Sequence, residues 1–424
     1  MNISEIKSAI TEGKFNDKFN MLYGDSKAAI TRFCEALDCF EEIFGEAENI
    51  RLFSAPGRTE IGGNHTDHQH GSVLAGSVNL DVIAIVAPNN DGKIRIKSKG
   101  YTMDVIEIDN LEKQVNEKGR ASALIRGICN RFAEIGCKIG GFNAYTTSNV
   151  LKGSGLSSSA AFEVLVGNIL NGLFFENKAE PIEIAKIGQF AEREFFGKPC
   201  GLLDQMASSL GGFTYADFFD PSNPITEHIE LDINNFGYSL CVVDTGGNHA
   251  NLTQDYADIT IECKQISNEL GVDFLRDGDI DKFYNNIASL RAKFGDRAVL
   301  RAFHFFNEHE RVLAQREALK KGDFNGFLKL VNQSGESSFD YLQNLYSTSK
   351  ISEQGLPLGI ALTKKFLNGK GACRVHGGGF AGTIQCYIPT QDYEEYKVYM
   401  EKVFGEGSCC KLFVRPVGGY EIKI

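Results

Sequence analysis

The sequence predicts a folded chain of mixed helices and strands with room for two or three domains, and three observations carry that expectation. Its 424 residues, 42% of them hydrophobic, suffice for a sizeable packed core. Apolar residues recur at helical spacing, as in Ala28, Ile30, Phe33, Leu37 and Phe40, and again in Phe162, Val164, Leu165, Ile169, Leu170 and Leu173. Between such segments lie strand-like runs at Val73 to Val86, Tyr238 to Val243 and Thr383 to Ile388, each bordered by a glycine-rich polar loop.

Composition narrows the function classes. The net charge is -11, with acidic residues spread along the chain, so nucleic acid and anionic membranes are poor partners. Met1 to Lys18 alternates charged and apolar residues without the continuous apolar run of a secretory signal, and no stretch approaches the length of a membrane span. A cytoplasmic location is therefore expected. Eleven cysteines without a Cys-x-x-Cys pair are expected to be reduced thiols rather than a disulfide frame or a zinc site.

In chain order, residues 1–49 read as helices forming a packing extension without chemistry of its own. A short strand from Arg51 breaks into a polar loop holding Pro56-Gly57-Arg58 and Asn64-His65-Thr66-Asp67, and strand character returns at Val73. Polar loops between buried strands are where sites are commonly built. His65, His68 and His70 beside Asp67 invite a metal, but no second ligand cluster accompanies them. Hydrogen bonding to a sugar suits the loop better, because amide, imidazole and carboxylate groups match vicinal hydroxyls. A turn-stabilising contact is the plainer role for each of these side chains.

Residues 93–150 alternate as strands around a helix near Ala121 to Ile135, and the strand Phe142 to Tyr145 feeds a loop of glycine and serine. That loop, Gly153-Ser154-Gly155-Leu156-Ser157-Ser158-Ser159, runs into an apolar helix. Glycines let the backbone approach a ligand, serines can cap the helix, and the amides at its start favour a phosphate. A linker with a helix cap is the plainer reading of this stretch taken alone. Neither Gly-x-x-x-x-Gly-Lys-Ser/Thr nor the third glycine of a dinucleotide fingerprint is present. A chain this acidic must gather positive charge locally to hold a nucleotide, and Arg58, Lys152 and magnesium are the candidates.

A second helix, Ile182 to Phe195, carries Glu192 and precedes Gly201 and Asp204. Asp204 lies in an apolar neighbourhood, and a buried aspartate needs a partner or a task. Phe213 to Pro224, aromatic and then Asp- and Pro-rich, marks the expected domain boundary. Tyr256 begins a mostly helical region that reaches residue 350. Gly377-Gly378-Gly379 signals a close approach to the backbone, and Leu412 to Ile424 is strand-like again.

Three of these motifs stand in the order in which the galactokinase branch of the GHMP small-molecule kinases carries them: Pro56-Gly57-Arg58 through His65-Thr66-Asp67, Gly153 through Ala161, and Gly377-Gly378-Gly379-Phe380. The chain resembles that family over most of its length after residue 50. The resemblance implies an α+β, two-domain GHMP kinase fold with the active site between the N- and C-terminal domains. Residues 1–49 would be a helical extension, 50–220 the nucleotide-binding domain and 221–424 the C-terminal domain. The implied reaction is transfer of the ATP γ-phosphoryl group to the C1 hydroxyl of galactose, with ATP and Mg²⁺ as cofactors.

Residue by residue, Gly153, Ser154, Gly155, Leu156, Ser157, Ser158 and Ser159 match the family's phosphate loop. Ser159 and Glu192 match its magnesium ligands, and Asp204 its catalytic aspartate, with Arg58 alongside. Asn64, His65, Asp67, Gly201 and Tyr256 match the sugar-binding positions. At position 64 the family generally carries a glutamate that contacts the C6 hydroxyl. Asn64 therefore keeps galacturonate, N-acetylgalactosamine and arabinose as alternatives behind galactose. A catalytically silent sugar sensor is the alternative of another class, and retention of Asp204, Glu192, Arg58 and Ser159-Ala160 argues against it.

Overall fold

The computed structural model describes residues 1–150, 155–247 and 252–423. In chain order the strands are β1 (Arg51–Gly62), β2 (Ser72–Asn89), β3 (Lys93–Ser98), β4 (Met103–Glu107), β5 (Gly141–Ser148), β6 (Phe213–Asp217), β7 (Ile225–Ile229), β8 (Tyr238–Asp244), β9 (Ala372–Val375), β10 (Thr383–Pro389), β11 (Cys409–Leu412) and β12 (Tyr420–Ile422). The first sheet has the order β12-β1-β2-β5-β3-β4, and β6 and then β7 add to the first half of β2. Within it only β3 and β5 run parallel. The second sheet is antiparallel with the order β11-β8-β10-β9.

Along β1, β2 and β5 both faces of the first sheet are buried. Because side chains alternate along a strand, Phe53, Ala55, Ala84, Val86, Phe142 and Ala144 face one core, which includes the helices Ala121–Glu134 and Ser158–Phe174. Leu52, Ile83, Ile85, Ala87 and Tyr145 face the opposite way, against Phe19, Phe33, Leu37 and Phe40 of the helices Asn16–Tyr23 and Ser26–Phe44. This double burial explains why β2 reads Val82-Ile83-Ala84-Ile85-Val86-Ala87 without polar alternation. The N-terminal helices are thus the cover of a sheet face. Among the described residues no helix is long and apolar enough to cross a membrane, and all eleven cysteines are free thiols.

Two details differ from the sequence expectation. The helix expected over Ile182 to Phe195 is α-helical at Pro181–Phe190 and π-helical at Ala191–Phe196, a register that periodicity does not distinguish. The stretch Phe213 to Pro224 holds β6, which pairs with β7 just beyond it, so both belong to the first sheet. β12 also returns to that sheet by pairing with β1.

The extension is fastened by charge as well as by apolar packing. Asp81 on β2 is fully buried; it accepts hydrogen bonds from Tyr23 Oη at 2.7 Å, from Arg32 and from Ser54, and it faces the fully buried Arg415 at 3.5 Å. Arg32 also donates to the carbonyls of Asp81 and Thr147, each at 3.0 Å. Replacing Asp81 by alanine leaves two guanidinium groups without their carboxylate. The expected cost is about 3–5 kcal/mol, to be read from the urea-unfolding midpoint at neutral pH.

Candidate active site

Arg58 is the first side chain the fold aims into the site. The β1–β2 ladder shifts register between Pro56 and Arg58, and Arg58 re-enters it opposite Ser77. Its Nε lies 2.7 Å and its Nη2 2.6 Å from Asp204 Oδ1, and its Nη1 donates to the carbonyl of Gly155. Asp204 stands in the first turn of the helix Leu203–Leu210, which is seated by Leu203, Met206 and Ala207 against Val73 and Ala75 of β2. Ser157 Oγ donates to the other carboxylate oxygen, Oδ2, at 2.6 Å. Both oxygens of a half-buried carboxylate are therefore held.

The glycine-serine loop is tied to the same strand. Arg58 N donates to Leu156 O at 3.0 Å, and a Cβ on Gly57 would stand 2.7 Å from that carbonyl, so glycine is required for the approach. Ser157, at φ 56°, stands at the N-cap position of the 17-residue helix Ser158–Phe174, with its hydroxyl turned to Asp204 rather than to the helix amides. Gly153, Ser154 and Lys152 lie outside the described residues. The described part, Gly155 to Ser159, sets a helix N-terminus beside Arg58, which is an arrangement suited to an anion.

The electrostatics of Asp204 follow from these neighbours. Burial by itself raises a carboxyl pKa; the Arg58 guanidinium, the Ser157 hydroxyl and Lys198 outweigh it and hold Asp204 below its ordinary value. Asp204 is thus a carboxylate at neutral pH, and it stays one on acidification until the pH falls through that depressed value.

On the next turn of the chain, Ser159 Oγ lies 3.5 Å from Glu192 Oε1. Glu192 Oε2 accepts a hydrogen bond from Gln205 Nε2 at 2.8 Å, and the same amide reaches Glu163 Oε2 at 2.9 Å. Burial, then the charge of Glu192, push the Glu163 pKa well up. A hydroxyl and a carboxylate oxygen side by side form a donor set suited to a hard divalent cation that keeps most of its waters. Among the described residues no cluster of three or more His, Cys, Asp or Glu side chains has metal-binding geometry.

The sugar-side candidates gather about the loop 63–71. Gly201 packs so closely on Asp67 that an added Cβ would stand 2.3 Å from Asp67 Oδ2. His65, in the left-handed region at φ 59°, places Nε2 2.9 Å from Gly378 O. Burial, then His68, lower its pKa to about 4, so the ring is neutral at pH 7. Tyr256 Oη donates to Gly379 O at 2.9 Å, and a Cβ on Gly378 would stand 2.6 Å from the Tyr256 ring. The third motif therefore closes over the first. His70 stacks on Phe274 with ring centroids 3.5 Å apart, away from His65.

Asn64 is placed differently. It is fully buried; its Nδ2 donates to Glu60 Oε1 at 2.9 Å and to Gly377 O at 2.7 Å, while its Oδ1 accepts from Asn344 Nδ2 at 2.7 Å and from Ser338 Oγ at 3.4 Å. Glu60 in turn pairs with Arg374 at 2.6 Å. Burial raises the Glu60 pKa, with Arg374 and Arg58 pulling the other way. Sequence reasoning missed this network, and it missed His376, whose Nε2 lies 3.1 Å from Thr59 Oγ1 and 3.3 Å from Glu60 N. Gln205 and Lys198 also went unnoticed. The available signal was local: Gln205 follows Asp204 directly, and Glu60 and Asn64 stand four apart on one strand-to-loop bend.

A model of the galactokinase galactose-binding signature matches residues 38–88, and one of the GHMP kinases N terminal domain matches residues 123–212. The galactokinase of Glaesserella parasuis serovar 5 is 31% identical over 372 residues, covering 84% of this chain and 89% of that protein. The galactokinase of Lactobacillus helveticus is 30% identical over 365 residues, with 83% and 89% covered. Solved structures share the fold, two of them as follows. Lactococcus lactis galactokinase complexed with galactose has a TM-score of 0.75 at 23% identity, covering 90% of this chain and 98% of that one. A mevalonate kinase has a TM-score of 0.61 at 15% identity, covering 87% and 99%. The α+β GHMP kinase fold expected from the motifs is thus borne out, and at 31% identity over nearly the whole length of a relative the chain belongs to the galactokinase family.

Proposed function

We propose that this chain is a sugar 1-kinase that moves the γ-phosphoryl group of ATP to the C1 hydroxyl of galactose. One observation carries the reading: Gly201 lies against Asp67, and Asp204, three residues on, is held between Arg58 and Ser157 at the start of the helix Leu203–Leu210. A single turn of chain thus joins the candidate sugar ligand to the candidate base. Gly155, Leu156, Ser157, Ser158 and Ser159 would hold the nucleotide phosphates, together with Gly153 and Ser154. Asp67, His65 and Tyr256 would orient the sugar. Ser159 and Glu192 would hold Mg²⁺, which when bound neutralises charge on the phosphates.

In the transfer, the C1 oxygen forms its bond to the γ-phosphorus as the bond to the bridging oxygen of ADP breaks. The hydroxyl proton passes to an Asp204 carboxylate oxygen. Because its neighbours depress the Asp204 pKa, this group is a weak base. It orients the hydroxyl first and takes the proton late, as the forming bond acidifies it. Arg58, fixed on both Asp204 and the Gly155 carbonyl, supplies a positive charge that needs no rearrangement during the reaction.

The substrate alternatives rested on Asn64. Its amide hydrogens and its carbonyl oxygen are all taken by protein partners, so it offers no free atom to a group on C6 and gives no ground for preferring an acidic sugar. Its work is to hold the loop that carries His65 and Asp67.

ATP-dependent ADP release across galactose, galacturonate, N-acetylgalactosamine, arabinose and glucose tests the reading; turnover is expected with galactose first, and silence on all five with sugar binding intact would leave a sensor. Asp204→Asn is expected to keep ATP affinity and to lose about 10²- to 10⁴-fold in kcat, with activity within a few-fold of wild type removing it from the chemistry. Gly201→Ala displaces the Asp67 carboxylate; a loss on the order of 10²-fold in kcat/KM for the sugar is expected, with KM for ATP little changed, by steady-state kinetics. Asn64→Glu buries a second carboxylate against Glu60 and is expected to cost about 3–5 kcal/mol in urea unfolding. The double variant Glu60→Asn/Asn64→Glu, with one carboxylate again, is expected to regain most of that loss.

A further inference from the structure

The π-helical segment Ala191–Phe196 ends at Gly197, which adopts φ 87°. The amides of Gly197 and Lys198 both donate to the carbonyl of Glu192, at 3.0 and 3.1 Å. This wide turn folds Lys198 back over the residue it follows by six positions, and Lys198 Nζ lies 2.8 Å from Glu192 Oε1. The carboxylate cannot turn to offer its other oxygen, because Gln205 holds Oε2 from a helix whose neighbouring residue is Asp204. Oε1 is therefore shared by the ammonium group and by the side of Glu192 that faces Ser159. Glu192 is buried, whereas the Lys198 side chain is 57% exposed and free to swing into water.

We propose that Lys198 is the resident counter-ion of Glu192 and competes with the divalent cation for Oε1, so that metal binding displaces it. This rests on the reading of Ser159 and Glu192 as the metal ligands. Lys198 keeps a buried carboxylate compensated before a metal arrives, which an unpaired Glu192 would not be. It also sets the metal concentration the site needs, since a cation must replace an ion pair rather than meet a bare oxygen. The device is local: it needs only the π turn, Gln205 and one long flexible side chain.

The test is direct binding, not turnover. Mn²⁺ is titrated into the nucleotide-free protein and the free ion is followed by electron paramagnetic resonance. Lys198→Met is expected to bind Mn²⁺ about two- to fivefold more tightly than wild type, the worth of a half-exposed ion pair. Lys198→Arg, which keeps the charge, is expected to match wild type, and Glu192→Gln to weaken binding strongly with or without Lys198. Equal or weaker binding by Lys198→Met, while Glu192→Gln still weakens it, would overturn the competition. Unchanged Mn²⁺ binding in Glu192→Gln would instead remove the metal-ligand reading on which the competition stands. Lys198 is exposed, so retention of the wild-type thermal midpoint in Lys198→Met separates both outcomes from a folding defect.

Discussion

The pair between Glu60 on β1 and Arg374 on β9 ties the first sheet to the second with both charges out of water. Three charges or charge partners along β1 are settled by segments distant in the chain. Ser54 meets Asp81 and Arg415, Arg58 meets Asp204 146 positions on, and Glu60 meets Arg374 314 positions on. An uncompensated buried charge costs several kcal/mol. Each pairing therefore fixes where a remote segment docks, and the loops between them converge at one place. Asn64, His376 and Gln385 fill in around Glu60, with Gln385 Nε2 donating to its carbonyl at 2.9 Å.

The arrangement sets two demands against each other at Asp204. Arg58 and Ser157 secure the carboxylate geometrically and keep it charged, and the same contacts make it reluctant to accept a proton. A site built this way gains more from placement than from basicity, since a hydroxyl held in line lowers the barrier through orientation. The paired carboxyls farther in show the opposite solution. Glu163 and Glu192 share one amide of Gln205, and burial beside a like charge pushes Glu163 toward its neutral form. Asp204 and Glu163 are thus pushed in opposite directions, one held charged by a guanidinium and the other driven toward its neutral form by burial and a like charge.

Much of this was legible in the chain itself. Phe33, Leu37 and Phe40 announced a helix, Val73 to Val86 a strand, and Gly377-Gly378-Gly379 a place where another group comes close to the backbone. The three ordered motifs pointed to the family because their loops meet in space. Periodicity cannot show long-range pairing. Nothing local marks Arg374 as the partner of Glu60, and the polar saturation of Asn64 depends on Asn344, 280 residues away. The π-helical turn at Ala191–Phe196 escaped for another reason. One extra residue per turn barely disturbs an apolar pattern, yet it decides where Lys198 falls.

The pairing of β12 with β1 bears on how the protein is made. Leu52 aligns with Ile422, and Arg51 grips Glu421 across 370 positions. At about 5–20 residues per second of synthesis, roughly 20–70 s separate the appearance of the two strands. Through that interval β1 has an open edge, and Asp81 waits for Arg415. The N-terminal helices, already present, can cover Ile83 and Ile85 from the outset. Apart from Ile422, the buried residues of the face they cover are all made before β12, so one side of the unfinished sheet needs little from the C-terminal end to be buried.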